Sequence, residues 1–376
     1  MPGPLEGLRF VEMAGIGPAP FAAMVLADLG ARGLRVESPR RGLEFGDPAR
    51  DVTRRGRDCV VVDVRRDEGR ALLLDVVAGA DVLLEGFRPG TMERLGLSPQ
   101  DCLARNPALV YGRMTGWGQD GPWSRIAGHD LDYIALAGVL AHTARRGAPP
   151  TPPLNLVGDF GGGAMLLVVG VLAALWQAQR SGRGQVVDAA MVDGAALLMS
   201  MFHGLAHQGL WQEEAGVNLL DSGCPFYDVY RTGDNRWIAV ACLEPKFYAE
   251  WLRIAGLDDE DLPGQFDVDR WPELRERFTA VAATRSRDEW AALAEGTDAC
   301  VAPVLTLREA PAHPHLAARA TFTDVDGLVQ PSPAPRFSGT PAGPPGSIRG
   351  ADPRALHDWD IDAERIDRLT ADGTLA

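Results

Sequence analysis

His129 and Asp159 are the two side chains whose settings best suit proton chemistry. Each stands beside glycine at the start of an apolar helical segment, in Gly128-His129-Asp130-Leu131-Asp132-Tyr133 and in Val157-Gly158-Asp159-Phe160-Gly161-Gly162-Gly163. An imidazole changes charge near neutral pH, and a carboxyl does so where its surroundings raise its pKa. Together they offer an acid and base pair. Asp159 taken alone reads as a helix N-cap. Three successive glycines in the first turn argue for more, because each costs about 1 kcal/mol relative to alanine inside a helix. Bare backbone there suits the approach of a ligand oxyanion to exposed N–H groups. The remaining histidines offer less. His203 and His207 are one turn apart on an apolar helix without a carboxylate at helical spacing, which reads as packing rather than a metal site. His142, His313, His315 and His357 fall beside the proline-rich crossing, in a proline-bearing loop and in the tail.

The composition narrows the alternatives. The chain has 376 residues, 46% hydrophobic and 23% charged, as in a soluble protein of two or three domains. Its 37 basic and 51 acidic residues give a net charge of -14, which argues against nucleic acid or an anionic membrane as partner. Lys246 is the only lysine, so Schiff-base and pyridoxal chemistry and a Walker A loop would all have to use Glu-Pro-Lys-Phe, which lacks the context. Residues 32–70 hold 11 arginines against 8 acids, among them Arg40, Arg41, Arg54, Arg55 and Arg57. That is either a local anion site or a mixed-charge surface. Cys59, Cys102, Cys224, Cys242 and Cys300 form no CxxC pair and read as buried thiols in a reducing compartment. With no signal segment and no peroxisomal address, the expected location is cytoplasmic. The apolar run from Ala164 to Trp176 has 13 residues, short of a bilayer span of roughly 20, and reads as a buried helix.

Residues 8–13, 34–37, 59–64, 81–85 and 108–114 are apolar runs of strand length, and helical patterns lie at 21–29 and 67–78. This alternation predicts an α/β fold with a parallel sheet covered on both faces and ligands at the strand ends, after Glu12, Val36, Val64 and Glu85. Gly15-Ile16-Gly17-Pro18 fails as a dinucleotide fingerprint, since the third glycine position is Pro20 and Pro18 lacks an N–H; it reads as a tight turn on the ligand edge. Residues 1–190 make a large domain, 191–224 a connector and 225–321 a smaller α+β domain with a hairpin around Gly233. Residues 322–376, rich in proline and glycine up to Gly350 and ending in one helix from about Pro353, return to the large domain. Arg145 to Pro153 is an extended crossing.

The segments GLRFVEMAGIGPAP, GFRPGTMERLGL, RMTGWGQDGP, AGHDLDYIALAGVL, NLVGDFGGG and GRGQVVDAAMVDG resemble the type III CoA-transferase (CaiB/BaiF) superfamily over essentially the whole chain. GFRPG and GDFGGG mark the superfamily, and AGHDLDY resembles its racemase branch, because the transferases lack that histidine. The resemblance implies a Rossmann-like large domain and a smaller α+β domain in an interlocked homodimer with a shared active site. It implies CoA held by Val62, Asp63, Val64, Arg65, Gly86, Phe87, Arg88, Arg94, Gly128, Asp130, Leu131, Asp132 and Tyr133. His129 and Asp159 would be the acid/base pair, with Glu244 of the other subunit orienting the histidine. Related racemases carry arginine where this chain has Ser38; Arg40 and Arg41 are near enough to substitute. From the residues alone, Glu244 before Pro245 is explained by the helix start.

The implied reaction interconverts 2R and 2S 2-methylacyl-CoA thioesters through an enolate, without metal or other cofactor, and with the enolate oxygen bound at the Asp159 turn. The alternative is a CoA-transferase in which Asp159 is the acyl-accepting nucleophile. Met191, Met199 and Met201 could line an adaptable acyl surface or fill core.

Overall fold

The computed structural model describes residues 2–40, 42–43 and 46–376. The chain divides into two units, one of Met1–Ala137, Pro153–Leu198 and Pro314–Ala376, the other of Gly138–Pro152 and Met199–His313.

The large unit begins β1 (Arg9–Met13), α1 (Pro18–Asp28), β2 (Arg32–Glu37), β3 (Arg57–Val61), α2 (Asp67–Ala78) and β4 (Val82–Glu85). It continues through α3 (Thr91–Arg94), α4 (Pro99–Arg105), β5 (Val110–Thr115) and α5 (Asp130–Leu136). A π-helical stretch, Leu156–Met165, runs directly into α6 (Leu166–Ser181), followed by β6 (Val186–Ala190) and α7 (Met191–Leu198). The six strands pair in parallel in the order β3-β2-β1-β4-β5-β6. The order reverses beside β1, so the loops after β1 and β4 flank the crevice where open sheets of this kind take ligands. Strand residues alternate between two apolar layers. Phe10, Val82, Leu84 and Val110 pack with Leu26 of α1 and Leu167 and Val171 of α6, while Val11, Leu34, Val60 and Leu83 pack with Leu72 and Val76 of α2. Each such side chain contributes about 1.5–3 kcal/mol on leaving water.

The chain's last segment joins the second layer: Leu356, Trp359 and Leu369 are buried there, and the Asp63 N–H donates to the Thr374 carbonyl at 3.0 Å.

The small unit contains α8 (Ser200–His207), an antiparallel sheet of β7 (Tyr227–Arg231), β8 (Trp237–Ala241) and β9 (Val301–Pro303), and helices α9 (Pro245–Ala255), α10 (Trp271–Ala282) and α11 (Arg287–Ala294). Phe226, Ile238, Trp251, Phe278 and Trp290 fill its core. The hairpin lies where expected; β9 adds a strand to it. Returning to the large unit, α12 (Pro314–Ala318) precedes a hairpin of β10 (Phe322–Val325) and β11 (Leu328–Pro331), and α13 (Ala363–Ala371) ends the fold.

Several boundaries differ from the sequence reading. Residues 138–152 group with the small unit, the stretch 191–224 is divided after Leu198, and 314–321 lie in the large unit. The tail is not simply irregular: Asp326-Gly327 turns a hairpin, the dipeptide that most favours one. A 3₁₀ turn at Pro353–Trp359 precedes the last helix. The apolar helix is not 13 residues long and not simply buried. Helical structure is continuous over Leu156–Ser181, long and apolar enough to cross a membrane by length and composition, with one face in the core and Met165, Val169 and Trp176 exposed. Four cysteines are buried, but Cys300 is exposed.

Candidate active site

The reading of Asp159 as an N-cap is overturned: it lies inside the π-helical stretch, which begins three residues earlier. The glycines after it serve packing between helices. A Cβ on Gly162 would lie 2.6 Å from the Ala195 nitrogen of α7, and one on Gly194 would lie 1.8 Å from the Gly162 oxygen. The wide turn carries the Asp159 carboxylate to the loop after β1, where a Cβ on Gly17 would stand 3.2 Å from its Oδ2. Asn155, one turn earlier, donates to the same oxygen at 3.0 Å. Burial raises the Asp159 pKa, the Asn155 hydrogen bond opposes the rise, the charge of Asp130 adds to it and the charge of His129 opposes it.

His129 opens α5, as expected. Its carbonyl accepts the Asp132 and Tyr133 N–H groups at 2.9 and 3.3 Å, and its own N–H donates to the Asp132 carboxylate at 2.9 Å, leaving the imidazole exposed. Asp130, the next residue, is buried, and its Oδ2 accepts the Asp159 N–H at 2.7 Å. One helix start therefore brings His129 and Asp159 into a single site. Tyr133 closes its floor: its ring packs edge-on against Trp117, its hydroxyl donates to the Gly128 carbonyl, and its pKa is pushed up to about 12 by burial and by the charges of Asp159 and Asp132. Arg88 acts on Tyr133 with the opposite sign, so the loop after β4 faces the same site.

That loop is held from below. The Phe87 N–H donates to Glu85 Oε2 at 2.7 Å and Arg113 Nε to Glu85 Oε1 at 2.9 Å, while Arg113 also grips Glu93. Burial outweighs both bonds and pushes the Glu85 pKa up to about 7. Gly86 and Arg88 are exposed, and Arg94 donates to Thr91 Oγ1 at 3.0 Å. Of the segment after β3, Val62 is buried, Asp63 and Val64 are half-buried, and Arg65 is exposed with its N–H on Asp63 Oδ1 at 3.2 Å. Gly128 fits against the rings of Tyr133 and Trp117, and Leu131 is exposed.

The arginine-rich segment is largely spent on internal ion pairs. Arg35 and Arg57 flank the fully buried Glu12, Arg54 pairs with Glu37, and Arg55 with Asp28. These pairs pin the first turn of α1, since Arg57 also donates to the Pro20 carbonyl at 2.9 Å. Arg40 is exposed, its N–H on Ser38 Oγ at 3.2 Å; Arg41 lies outside the described residues. Glu244 is the N-cap of α9 with Pro245 at the first helical position, as its local sequence implies. Met191 is buried and Met201 exposed. Among the described residues no three His, Cys, Asp or Glu side chains converge as a metal site.

Sequence reasoning missed Asn155, Gly17 and Glu85. Asn155 could have been found from its four-residue spacing to Asp159, which puts two side chains on one helical face. Gly17 had been read only as part of a turn.

The fold and much of the sequence are shared with known proteins. The model of CoA-transferase family III matches residues 5–357, and the chain belongs to that family. It is 46% identical over 341 residues to a mouse protein named alpha-methylacyl-CoA racemase, covering 90% of this chain and 88% of that one. The human protein of the same name is 44% identical over 343 residues, with the same coverage. A succinyl-CoA–D-citramalate CoA-transferase of Chloroflexus aurantiacus is 30% identical, covering 91% of this chain and 90% of that one. Among solved structures, a CaiB/BaiF family protein from Brucella suis superposes with a TM-score of 0.81 at 25% identity, covering 96% of this chain and all of the other.

Proposed function

We propose that this chain is a racemase interconverting the 2R and 2S forms of 2-methylacyl-CoA thioesters. The names of the mouse and human relatives support the reading. The observation that carries it is the meeting, in one site, of an imidazole with a carboxyl whose pKa burial raises. Inversion needs a base on each face of the α-carbon, one protonated while the other is not. Asp159 as carboxylate takes the proton from one face and the His129 imidazolium returns one to the other; in the reverse direction they exchange roles. The chain's own side chains move the proton, so the reading calls for no cofactor.

The enolate oxygen formed between these steps needs donors. The Asp159 N–H is engaged by Asp130, so the earlier choice of the Asp159 turn gives way to the first peptide N–H groups of α5, at Asp130 and Leu131. No acceptor takes them among the described residues. One such donor is worth about 3 kcal/mol to a transition state. Arg65, Arg88 and Arg94 are exposed guanidinium groups suited to CoA phosphates, with Val62 to Val64, Gly86, Phe87 and Gly128 to Tyr133 shaping the cleft. Glu244 would orient His129 from a second subunit. The four buried free thiols support a reducing compartment, for which the cytoplasm is the simplest choice.

Incubation of pure 2R and 2S esters in D2O tests this. The expected result is inversion of both with deuterium at the α-carbon, and loss of inversion by a factor on the order of 10²–10⁴ in His129→Ala and in Asp159→Ala. The 30% identical transferase favours a second reading, acyl transfer through a mixed anhydride on Asp159. Capture of acyl-Asp159 by hydroxylamine, without α-exchange, would replace the first reading by the second.

A further inference from the structure

We propose that Asp130 is a positioning residue that fixes Asp159 relative to His129 and so sets the gap in which the α-carbon is inverted; the inference rests on the racemase reading. Asp130 is 6% exposed, and its Oδ2 accepts the Asp159 N–H at 2.7 Å, whereas its other oxygen is buried without a partner among the described residues. An acid at the first position of a helix gains from the helix dipole while fully hydrated, so helix stability does not require this burial. A buried carboxylate with one oxygen unsatisfied is unfavourable for folding, and such arrangements concentrate at functional sites.

The geometry leaves no slack. A Cβ on Gly158 would lie 2.6 Å from Asp130 Oδ2 and 2.9 Å from its Cγ, so only glycine lets this peptide reach the carboxylate. Asp130 directly follows His129 in the chain, and the group it holds is the backbone of Asp159 itself. The two bases are thus connected through one side chain, without a hydrogen bond from Asp130 to either reacting group.

The test uses the full-length enzyme and one pair of 2-methylacyl-CoA enantiomers in D2O, reading kcat and KM for inversion and α-deuterium uptake separately. Inversion needs both bases in place, whereas exchange from the His129 face needs only one. Asp130→Ala should lower kcat for inversion about 10- to 100-fold, as a misplacement near 1 Å does, with KM little changed and the ratio of exchange to inversion raised. Asp130→Asn, which keeps an oxygen to accept the N–H, should restore most of the inversion. If the alanine variant does not fold, Asp130→Glu, whose extra methylene pushes the peptide away, should raise the same ratio. Unchanged inversion in Asp130→Ala beside an active wild type, or an asparagine variant no better than alanine, overturns this role alone. A wild type that neither inverts nor exchanges any such ester overturns the racemase reading and this role with it.

Discussion

Glu85 shows how one residue couples loop placement to pH. Its carboxylate is the anchor for the Phe87 N–H and faces Arg113, yet burial raises its pKa from 4.5 to about 7. A carboxyl with a higher pKa in the folded than in the unfolded chain contributes stability that is complete below about 4.5 and is lost as pH rises through about 7. The full span corresponds to about 3 kcal/mol. Glu85→Gln keeps an acceptor for the Phe87 N–H but cannot ionise. The difference in urea unfolding free energy, wild type minus variant, should therefore fall between pH 4.5 and 7.5. A difference that stays flat across that window would show that Glu85 is ionised throughout.

At the scale of elements, the contact between the π-helical stretch and α7 decides where Asp159 stands. Gly194→Ala places a methyl 1.8 Å from the Gly162 oxygen, on backbone that cannot rotate away. Overpacking of this kind costs typically 1–3 kcal/mol, so the melting temperature should drop, and, on the proposed role of Asp159, inversion should fall at least tenfold because the displaced helix carries its carboxyl. Gly204→Ala, in α8 with open space around its Cβ, is the counterpart and should stabilise by about 0.5–1 kcal/mol. Equal melting temperatures for the two variants would refute the assignment of Gly194 to close packing. The sheet was legible because buried parallel strands are uninterrupted apolar runs, and α2 because Leu72, Leu73, Val76 and Val77 keep one face apolar. His129 and Asp159 were legible as residue types beside glycine. The helix around Asp159 was not, because three glycines read as a frayed helix start when their missing side chains instead admit α7. Nor was the bond from Asp130 to Asp159, since nothing local links positions 29 residues apart. The β10–β11 hairpin was readable at Asp326-Gly327 but lost among prolines.

For the whole molecule, the open question is what covers the outer face of α6. Met165, Val169 and Trp176 are 42%, 58% and 65% exposed along one stripe, while Leu167, Val171 and Leu175 of the same helix are in the core. A membrane span would have to leave that core. Self-association covers the stripe at no such cost, and contiguous exposed apolar surface usually marks a protein contact. The expected species in solution is therefore a dimer of 40.3 kDa chains, dissociated by Trp176→Glu together with Val169→Glu. Sedimentation of the wild type as a monomer at micromolar concentration would reject it. If Glu244 serves the partner's His129, the dimer also has a catalytic signature. Asp159→Ala and Glu244→Ala homodimers should each be impaired, yet a co-expressed heterodimer purified by two tags should regain about half the wild-type inversion rate, on the premise that its two sites act independently. In that heterodimer one site carries both lesions, and the other combines the intact Asp159 of the Glu244→Ala chain with the intact Glu244 of the Asp159→Ala chain. Were Glu244 to act within its own chain, each site would carry one lesion and no activity would return.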